Sequence, residues 1–237
     1  MTDLHTHILP GMDDGAKTTE DSLMLLRLQR DQGVDTVVLT PHFYRDRERP
    51  KTFFQRREEA LTRLDEAIEL LPEEERRSLP RRIPGAEVAW RPNLSDWEEL
   101  PRFCIGNTQN LLLELPFAPW NDQMLHQIYD MVGRTGVLPV IAHLERYLKI
   151  QRPELIRDVL SLDVPVQISS DCFLHPLTRG TGLKMLKRGQ AHLLASDCHN
   201  ATTRKPNLAM ALAVVEKKLG AECVQNLTAC ADELAGD

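Results

Sequence analysis

Asp3-Leu4-His5-Thr6-His7 stands near the start of the chain as an alternation of ionisable residues with Leu4 and Thr6. On an extended strand, residues two apart point to the same side. Asp3, His5 and His7 therefore share one face. Near the other end, Asp197-Cys198-His199 repeats the spacing and puts Asp197 and His199 on one face of a second strand. Imidazole and carboxylate together are donors for a divalent metal of hard to borderline character, and same-face pairs converge without a special loop. This pattern marks the chain as a metalloenzyme built on strands.

Outward from these two segments, short apolar runs alternate with amphipathic stretches for the whole length. Strands are predicted at residues 2–7, 36–40, 83–88, 111–115, 137–142, 164–168 and 191–195. Thr18 or Thr19 caps a helix on which Leu23, Leu26 and Arg30 follow at helical spacing, and Gly33 stops it. The next helix carries Phe54, Leu61, Leu64, Ile68 and Leu71 on one stripe, with Arg56, Arg57, Glu58 and Glu59 on other faces. The charged, proline-bearing stretch 72–84 reads as a surface loop. Further helices are predicted at residues 122–134, 153–162, 180–188, 205–219 and 221–234.

Strand–helix alternation implies parallel strands, and about seven of them can curl into a barrel. The expected fold is α/β: one domain over residues 1–237, a distorted (β/α)7 barrel. In such barrels the reactive groups gather at the C-terminal ends of the strands. The ionisable residues fall at those ends: His7, His42, Glu87, Glu114, His143 and the Asp197/His199 pair.

The composition, 42% hydrophobic and 27% charged, is that of a soluble globular protein. A net charge of -6 argues against nucleic acid or an anionic membrane as partner. No apolar run approaches the ~20 residues needed to span a bilayer. No basic patch precedes an apolar stretch at the N-terminus, so no secretory signal is expected. Five cysteines at irregular spacing make no disulfide framework, and reduced thiols in the cytoplasm are expected.

The candidate metal ligands are His5, His7, Asp14, His42, Glu87, Glu114, His143, Asp197 and His199. Some have a plainer alternative. Asp13-Asp14-Gly15 also suits a simple turn, and Pro41-His42 by itself reads as a surface histidine. Glu114 is different, because it sits in Leu111-Leu112-Leu113-Glu114-Leu115-Pro116. A carboxylate on a buried strand needs a cation beside it. His143, after Val140-Ile141-Ala142, carries the same argument more weakly. His126, His175 and His192 lie in a predicted helix, a loop and a strand start, and are expected to be structural or surface groups.

The stretch Asp-Leu-His-Thr-His-Ile-Leu-Pro-Gly-Met-Asp-Asp-Gly at residues 3–15 resembles the opening motif of the polymerase and histidinol phosphatase (PHP) superfamily. More narrowly, it is similar to the bacterial metal-dependent protein-tyrosine phosphatases of the CpsB/CapC type. Thr40-Pro41-His42, Gly85-Ala86-Glu87, Leu113-Glu114-Leu115-Pro116, His143-Leu144-Glu145-Arg146-Tyr147 and Ala195-Ser196-Asp197-Cys198-His199 follow in that family's order. The resemblance runs from Asp3 to about Arg204. It implies a PHP-type barrel holding three divalent ions, usually manganese, at the nine positions named above, with the glutamates at Glu87 and Glu114 bridging ions. It also implies that Arg146 and Arg204 stand over the substrate phosphate. The implied substrate is a phosphotyrosine protein or peptide, the tail of a bacterial tyrosine autokinase that controls capsule or exopolysaccharide synthesis. The chain departs from the family at Gln167-Ile168-Ser169-Ser170-Asp171-Cys172, a stretch that holds no ligand position.

The chemistry is coherent on general grounds. A metal-bridged hydroxide, formed near neutral pH, would attack phosphorus in line, while cations and guanidinium groups offset charge on the equatorial oxygens. A tyrosyl leaving group of pKa about 10 departs with less help than an alkoxide. Nitrogen and oxygen ligands also accept iron, cobalt or zinc.

Cys198-His-Asn-Ala-Thr-Thr-Arg204 fits the Cys-x5-Arg pattern of thiolate phosphatases. Against it, a Cys198 between two inward-facing ligands faces away, and the loop lacks a glycine to wrap phosphate. Two further alternatives are a small-molecule phosphomonoesterase of the histidinol-phosphatase kind and a non-catalytic metal-binding module. The arginine-rich segment at residues 44–51, beside the expected site, suits a peptide or a small anion equally.

Overall fold

Short apolar runs become short parallel strands, most of them buried on both faces as strands covered by helices are, with the charged start of Arg81–Pro84 an exception. The computed structural model describes residues 1–236, and only Asp237, the last residue of the expected domain, lies outside them. Its strands are β1 (Thr2–Thr6), β2 (Thr36–Leu39), β3 (His42–Phe43), β4 (Arg81–Pro84), β5 (Glu87–Ala89), β6 (Asn110–Glu114), β7 (Leu138–Ile141), β8 (Gln167–Ser169) and β9 (Leu193–Ala195). Its helices are α1 (Thr19–Arg30), α2 (Pro50–Glu69), α3 (Glu73–Ser78), α4 (Asp122–Thr135), α5 (Pro153–Leu160), α6 (Asp171–Leu174), α7 (Pro176–Lys187), α8 (Leu208–Leu219) and α9 (Ala221–Ala235).

The expected α/β class with parallel strands is present, but the hydrogen-bonded ladder is not one continuous seven-stranded sheet. The fold is mixed α/β, with parallel sheets in three pieces: β1-β2-β4, β3-β5-β6-β7 and β8-β9. Isolated bridges, Thr6 to Cys198 and Ile141 to Val166, join them. One cause of the break lies at Gly85-Ala86, inside the expected strand 83–88. Gly85 N–H donates to the Leu39 carbonyl (2.9 Å), closing the β2–β4 ladder. The chain then crosses over, and Glu87 of β5 pairs with β3 and β6 instead. A two-residue strand such as His42–Phe43 has no periodicity to detect, and sequence reading missed it.

Helix signals carried over more faithfully. Thr18 caps α1 in a reciprocal box with Asp21, whose carboxylate accepts the Thr18 N–H at 3.1 Å. Asn121 caps α4, and Gly136 at φ +72° ends it. Residues 72–84 are not a plain loop. Glu73–Glu75 in the first turn and Arg76 and Arg77 in the last suit the helix dipole and form α3, and Arg81–Pro84 pairs with β2. Helix α7 starts four residues before the expected 180, with Pro176 in its first turn. Arg57, expected on an outer face, is buried, donates to the Gly85 carbonyl (3.0 Å) and lies 5.2 Å from the Phe54 ring centroid. Its hydrophobic stem and planar head let it join the core.

Leu4, Val38, Ile83, Leu112, Val140 and Leu193, one from each of β1, β2, β4, β6, β7 and β9, share an inner cluster with Leu234 and Ala235 of α9. A larger apolar cluster, with Phe43, Phe53 and Phe103 at its centre, packs the helices around the sheets. Among the described residues, no helix is long and apolar enough to cross a membrane.

Candidate metal centre

The strand ends and the loops that follow them bring all nine candidate ligands together. His5 and His7, neighbours on one face of β1 and just past it, place their Nε2 atoms 3.0 Å apart. Glu87 Oε2 lies 3.2 and 3.4 Å from those two nitrogens, and Asp197 Oδ1 lies 3.5 and 3.3 Å from them. His42 Nδ1 and His143 Nε2 approach the two oxygens of Glu87 at 2.8 Å each. Glu114 Oε1 is 3.9 Å from His143 Nε2. Asp14 Oδ1, on the rim, is 3.5 Å from His42 Nε2 and 3.3 Å from His199 Nε2. Three overlapping groups have geometry that could hold a cation: His5, His7 and Glu87; His42, Glu87 and Glu114; and His7, Asp14, His42 and His199. Asp3 does not join them. It is fully buried, accepts from Ser196 N–H (2.9 Å) and Gln29 Nε2 (2.6 Å), and ties β1 to the segment after β9.

Proton placement favours a cation at the centre. His5 Nδ1 faces Gln167 Oε1 (3.4 Å), His7 Nδ1 faces Asp13 Oδ2 (2.7 Å), and His199 Nδ1 faces the Asp197 carbonyl (3.0 Å). Each partner is an acceptor, so each Nδ1 carries the proton and each Nε2 lone pair points inward. Two lone pairs at 3.0 Å repel unless a positive charge lies between or beside them. Asp197 Oδ1 and His199 Nε2 are buried there with no hydrogen-bond partner. Such atoms are costly to leave unpaired, and the donor set fits divalent ions.

Burial would lower His7 and His42, but Asp13 raises the first and Glu87 the second, so the buried carboxylates draw positive charge into the cluster. Burial would raise the Glu87 carboxyl, but His5 and His42 beside it hold it well below the usual range. Burial, with the charge of Glu87 added, pushes Glu114 up to about 6. Burial and His7 push His199 down to about 3, which keeps it neutral as a ligand must be. His143 and Asp197 both adopt left-handed backbone, at φ +33° and +52°. Non-glycine residues there store about 1–3 kcal/mol each, and such strain gathers at functional sites.

Arg146 and Arg204 meet on the other oxygen of Asp197. Arg146 Nη2 contacts Asp197 Oδ2 and Ser169 Oγ, and Arg204 Nη2 donates to the same Oδ2 at 2.9 Å. Both side chains keep 35% of their surface open to solvent. Exposed His126, His175 and His192 lie outside the cluster; His175 caps α7 and His192 accepts from Val166 N–H (3.0 Å).

Residues 1–233 match the family model described as capsular polysaccharide synthesis, CpsB/CapC. The chain belongs to the CpsB/CapC family. Among its CpsB/CapC relatives, the tyrosine-protein phosphatase YwqE of Bacillus subtilis (strain 168) is 30% identical over 240 residues, covering 99% of this chain and 91% of that protein. The tyrosine-protein phosphatase CpsB of Streptococcus pneumoniae is 29% identical over 237 residues, covering 96% and 94%. A crystal structure from work on YwqE of Bacillus subtilis and CpsB of Streptococcus pneumoniae, described as metal-dependent tyrosine phosphatases, superposes with a TM-score of 0.83 at 27% identity, over 100% of this chain and 94% of that one.

Two groups of this CpsB/CapC site escaped sequence reading. Gln167 is fully buried, and its Oε1 accepts the His143 N–H (2.7 Å) as well as facing His5. Asp13 is the second. Burial would raise its carboxyl, but His7 beside it and the N–H groups of Gly15 and His42 hold it well below the carboxylate range. Gly15 makes this possible, because a Cβ there would lie 2.1 Å from the His7 carbonyl oxygen. The turn at Asp13-Asp14-Gly15 is therefore folded onto His7, with Asp13 facing in and Asp14 out. A flag existed in the glycine after paired aspartates, but the contact itself spans a fold. Asp13→Asn is expected to weaken divalent-metal binding and metal-dependent kcat/KM by about 10- to 100-fold, the usual effect of losing a carboxylate behind a histidine ligand. Activity should recover largely when the divalent metal is raised to saturation. A metal titration that matches the unmodified protein would count against this role.

Proposed function

We propose that this chain is a metal-dependent protein-tyrosine phosphatase. The reading is carried by one observation: the inward Nε2 atoms of His5 and His7, 3.0 Å apart and ringed by Glu87 and Asp197, in a buried pocket whose rim holds Arg146 and Arg204. The named activity of relatives that cover nearly the whole chain supports it. The nine residues His5, His7, Asp14, His42, Glu87, Glu114, His143, Asp197 and His199 would hold three divalent ions, with Glu87 shared between neighbouring groups. Manganese suits this all-nitrogen-and-oxygen set, and iron, cobalt or zinc would also bind. Bound there, divalent ions supply Lewis acidity and bring the pKa of water from ~16 down to near 7.

The protein's own part is placement and charge. His5, His7 and His199 keep their protons on Nδ1, so the inner faces stay free of them. Arg146 and Arg204 would take the phosphate oxygens by charge-assisted hydrogen bonds. The chain would form one domain, a distorted (β/α)7 barrel acting in the cytoplasm, and the inner strand cluster around Leu4, Val38 and Leu112 is consistent with such a barrel interior. The substrate would be the phosphotyrosine tail of a bacterial tyrosine kinase in capsule synthesis, consistent with the family's description.

The test pairs metal removal with the rival thiolate. Manganese-loaded protein should release phosphate from a phosphotyrosine peptide, lose activity on chelation and regain it on refilling. Cys198→Ser should stay within about threefold, since Cys198 is fully buried, 3.6 Å from Gln29 Nε2, and burial with nearby Asp3 pushes its thiol up to about 12. Activity that survives chelation but not Cys198→Ser would reverse the assignment.

A further inference from the structure

A cleft of about 760 Å³ opens from Asp14 and His42 at the rim of the candidate centre and runs beside the start of α2. Its wall includes Arg47, Arg49 and Arg56. In a chain of net charge -6, this clustering runs against the overall sign. Not all of the charge is available. Arg56 is engaged by Glu48 (2.8 Å) and the Met12 carbonyl (2.7 Å), and Arg45 turns away to lie over the Trp97 ring (4.3 Å). Arg47 is steadied over the Tyr44 ring at 4.5 Å, an orienting contact that leaves its charge unneutralised. Arg47 and Arg49 are exposed, and among the described residues neither forms an ion pair.

The acids of the same cleft are already occupied. Glu48 faces Arg56, Asp13 faces His7, and Asp14 is drawn to His42 and His199. Asp46 also feels Arg47 but is paired with Arg91 (3.0 Å), so two guanidinium groups without an ion pair of their own remain on a wall that leads to the candidate centre. The scissile phosphate does not need them, because Arg146 and Arg204 already meet at Asp197, with Arg204 also 3.6 Å from Asp14 at the rim. A small phosphomonoester would also leave most of this volume empty.

We propose that the cleft is a second anion subsite, in which Arg47 and Arg49 bind a carboxylate or phosphate carried by residues flanking the phosphotyrosine. The chain then selects acidic or multiply phosphorylated peptides over neutral ones. This inference rests on the phosphatase reading given above. Cation pairs of this exposed kind contribute modestly, so the expected preference is about five- to tenfold in kcat/KM.

The test uses the full manganese-loaded chain and three phosphotyrosine peptides of equal length: one with neutral flanks, one with glutamate flanks, one with a second phosphotyrosine. The unmodified protein should favour one or both anionic peptides, and the peptide favoured identifies the source of the anion. The Arg47→Ala, Arg49→Ala double variant should lose that preference. Lys217→Ala with Lys218→Ala, an equal change of charge at the exposed end of α8, should keep it. Equal kcat/KM on all three peptides, or a preference that survives in the double arginine variant, would overturn the subsite alone. No turnover of any phosphotyrosine peptide would overturn the phosphatase reading and the subsite with it.

Discussion

Glu87→Gln is expected to reduce phosphotyrosine hydrolysis by about 10³-fold, the scale seen when a central electrostatic group of a reaction is removed. Glu87 is 1% exposed, and its two oxygens face four histidines: His143 on one, and His42, His5 and His7 on the other. It is the one carboxylate common to two of the three groups that could hold a cation. Glutamine preserves the shape but replaces one acceptor by an N–H2 donor and removes the charge. The inward lone pairs of His5 and His7 then lose the anion that would share an ion with them. Metal content and stability should follow activity. A divalent ion raises the melting temperature of a protein that binds it only when folded, so the rise expected for the unmodified chain with manganese should shrink in Glu87→Gln. Retention of full manganese content together with near-normal turnover would remove Glu87 from the centre.

What could be read from the chain follows from how local each signal is. The alternation in β1 and the position of acids and histidines at strand ends are one-dimensional patterns, and they led to nine residues that do converge. The helix cap at Thr18 depends on a contact three residues away and was similarly visible, whereas Asn121 caps its helix in the same way but was not singled out. Gln167 was not visible, because its partners His143 and His5 lie 24 and 162 residues away and nothing in its own neighbourhood marks it. Asp13 was hidden by a competing local explanation, the turn at Gly15, which is also real. The sheet was read as one continuous barrel because apolar runs do not announce where a ladder breaks. At Gly85 a close approach to Val38, 3.2 Å from where a Cβ would stand, lets the chain change partners. The buried cation of Arg57 escaped for the opposite reason, since charge was taken as a sign of solvent.

The second large effect is expected at the arginines, and it should separate cleanly from loss of metal. Arg146→Ala or Arg204→Ala should lower kcat/KM by about 10²-fold, as when one donor to a developing anion is removed, while manganese content stays near that of the unmodified protein. The reason lies in geometry. Both guanidinium groups grip Asp197 Oδ2, the oxygen turned away from His5 and His7, whereas Oδ1 faces the histidines. Each is also partly open to solvent, where a phosphate oxygen could be met. Because they share one carboxylate oxygen, their effects should not multiply, and the double variant should lose less than the product of the two single losses. Arg146→Lys should recover little, since a point ammonium cannot contact Ser169 Oγ, Asp197 and a phosphate with the planar fork of a guanidinium. If each single variant stayed within threefold of the unmodified chain at equal manganese content, phosphate recognition would have to be sought elsewhere. Loss of metal in step with activity would instead make both arginines mere supports for Asp197.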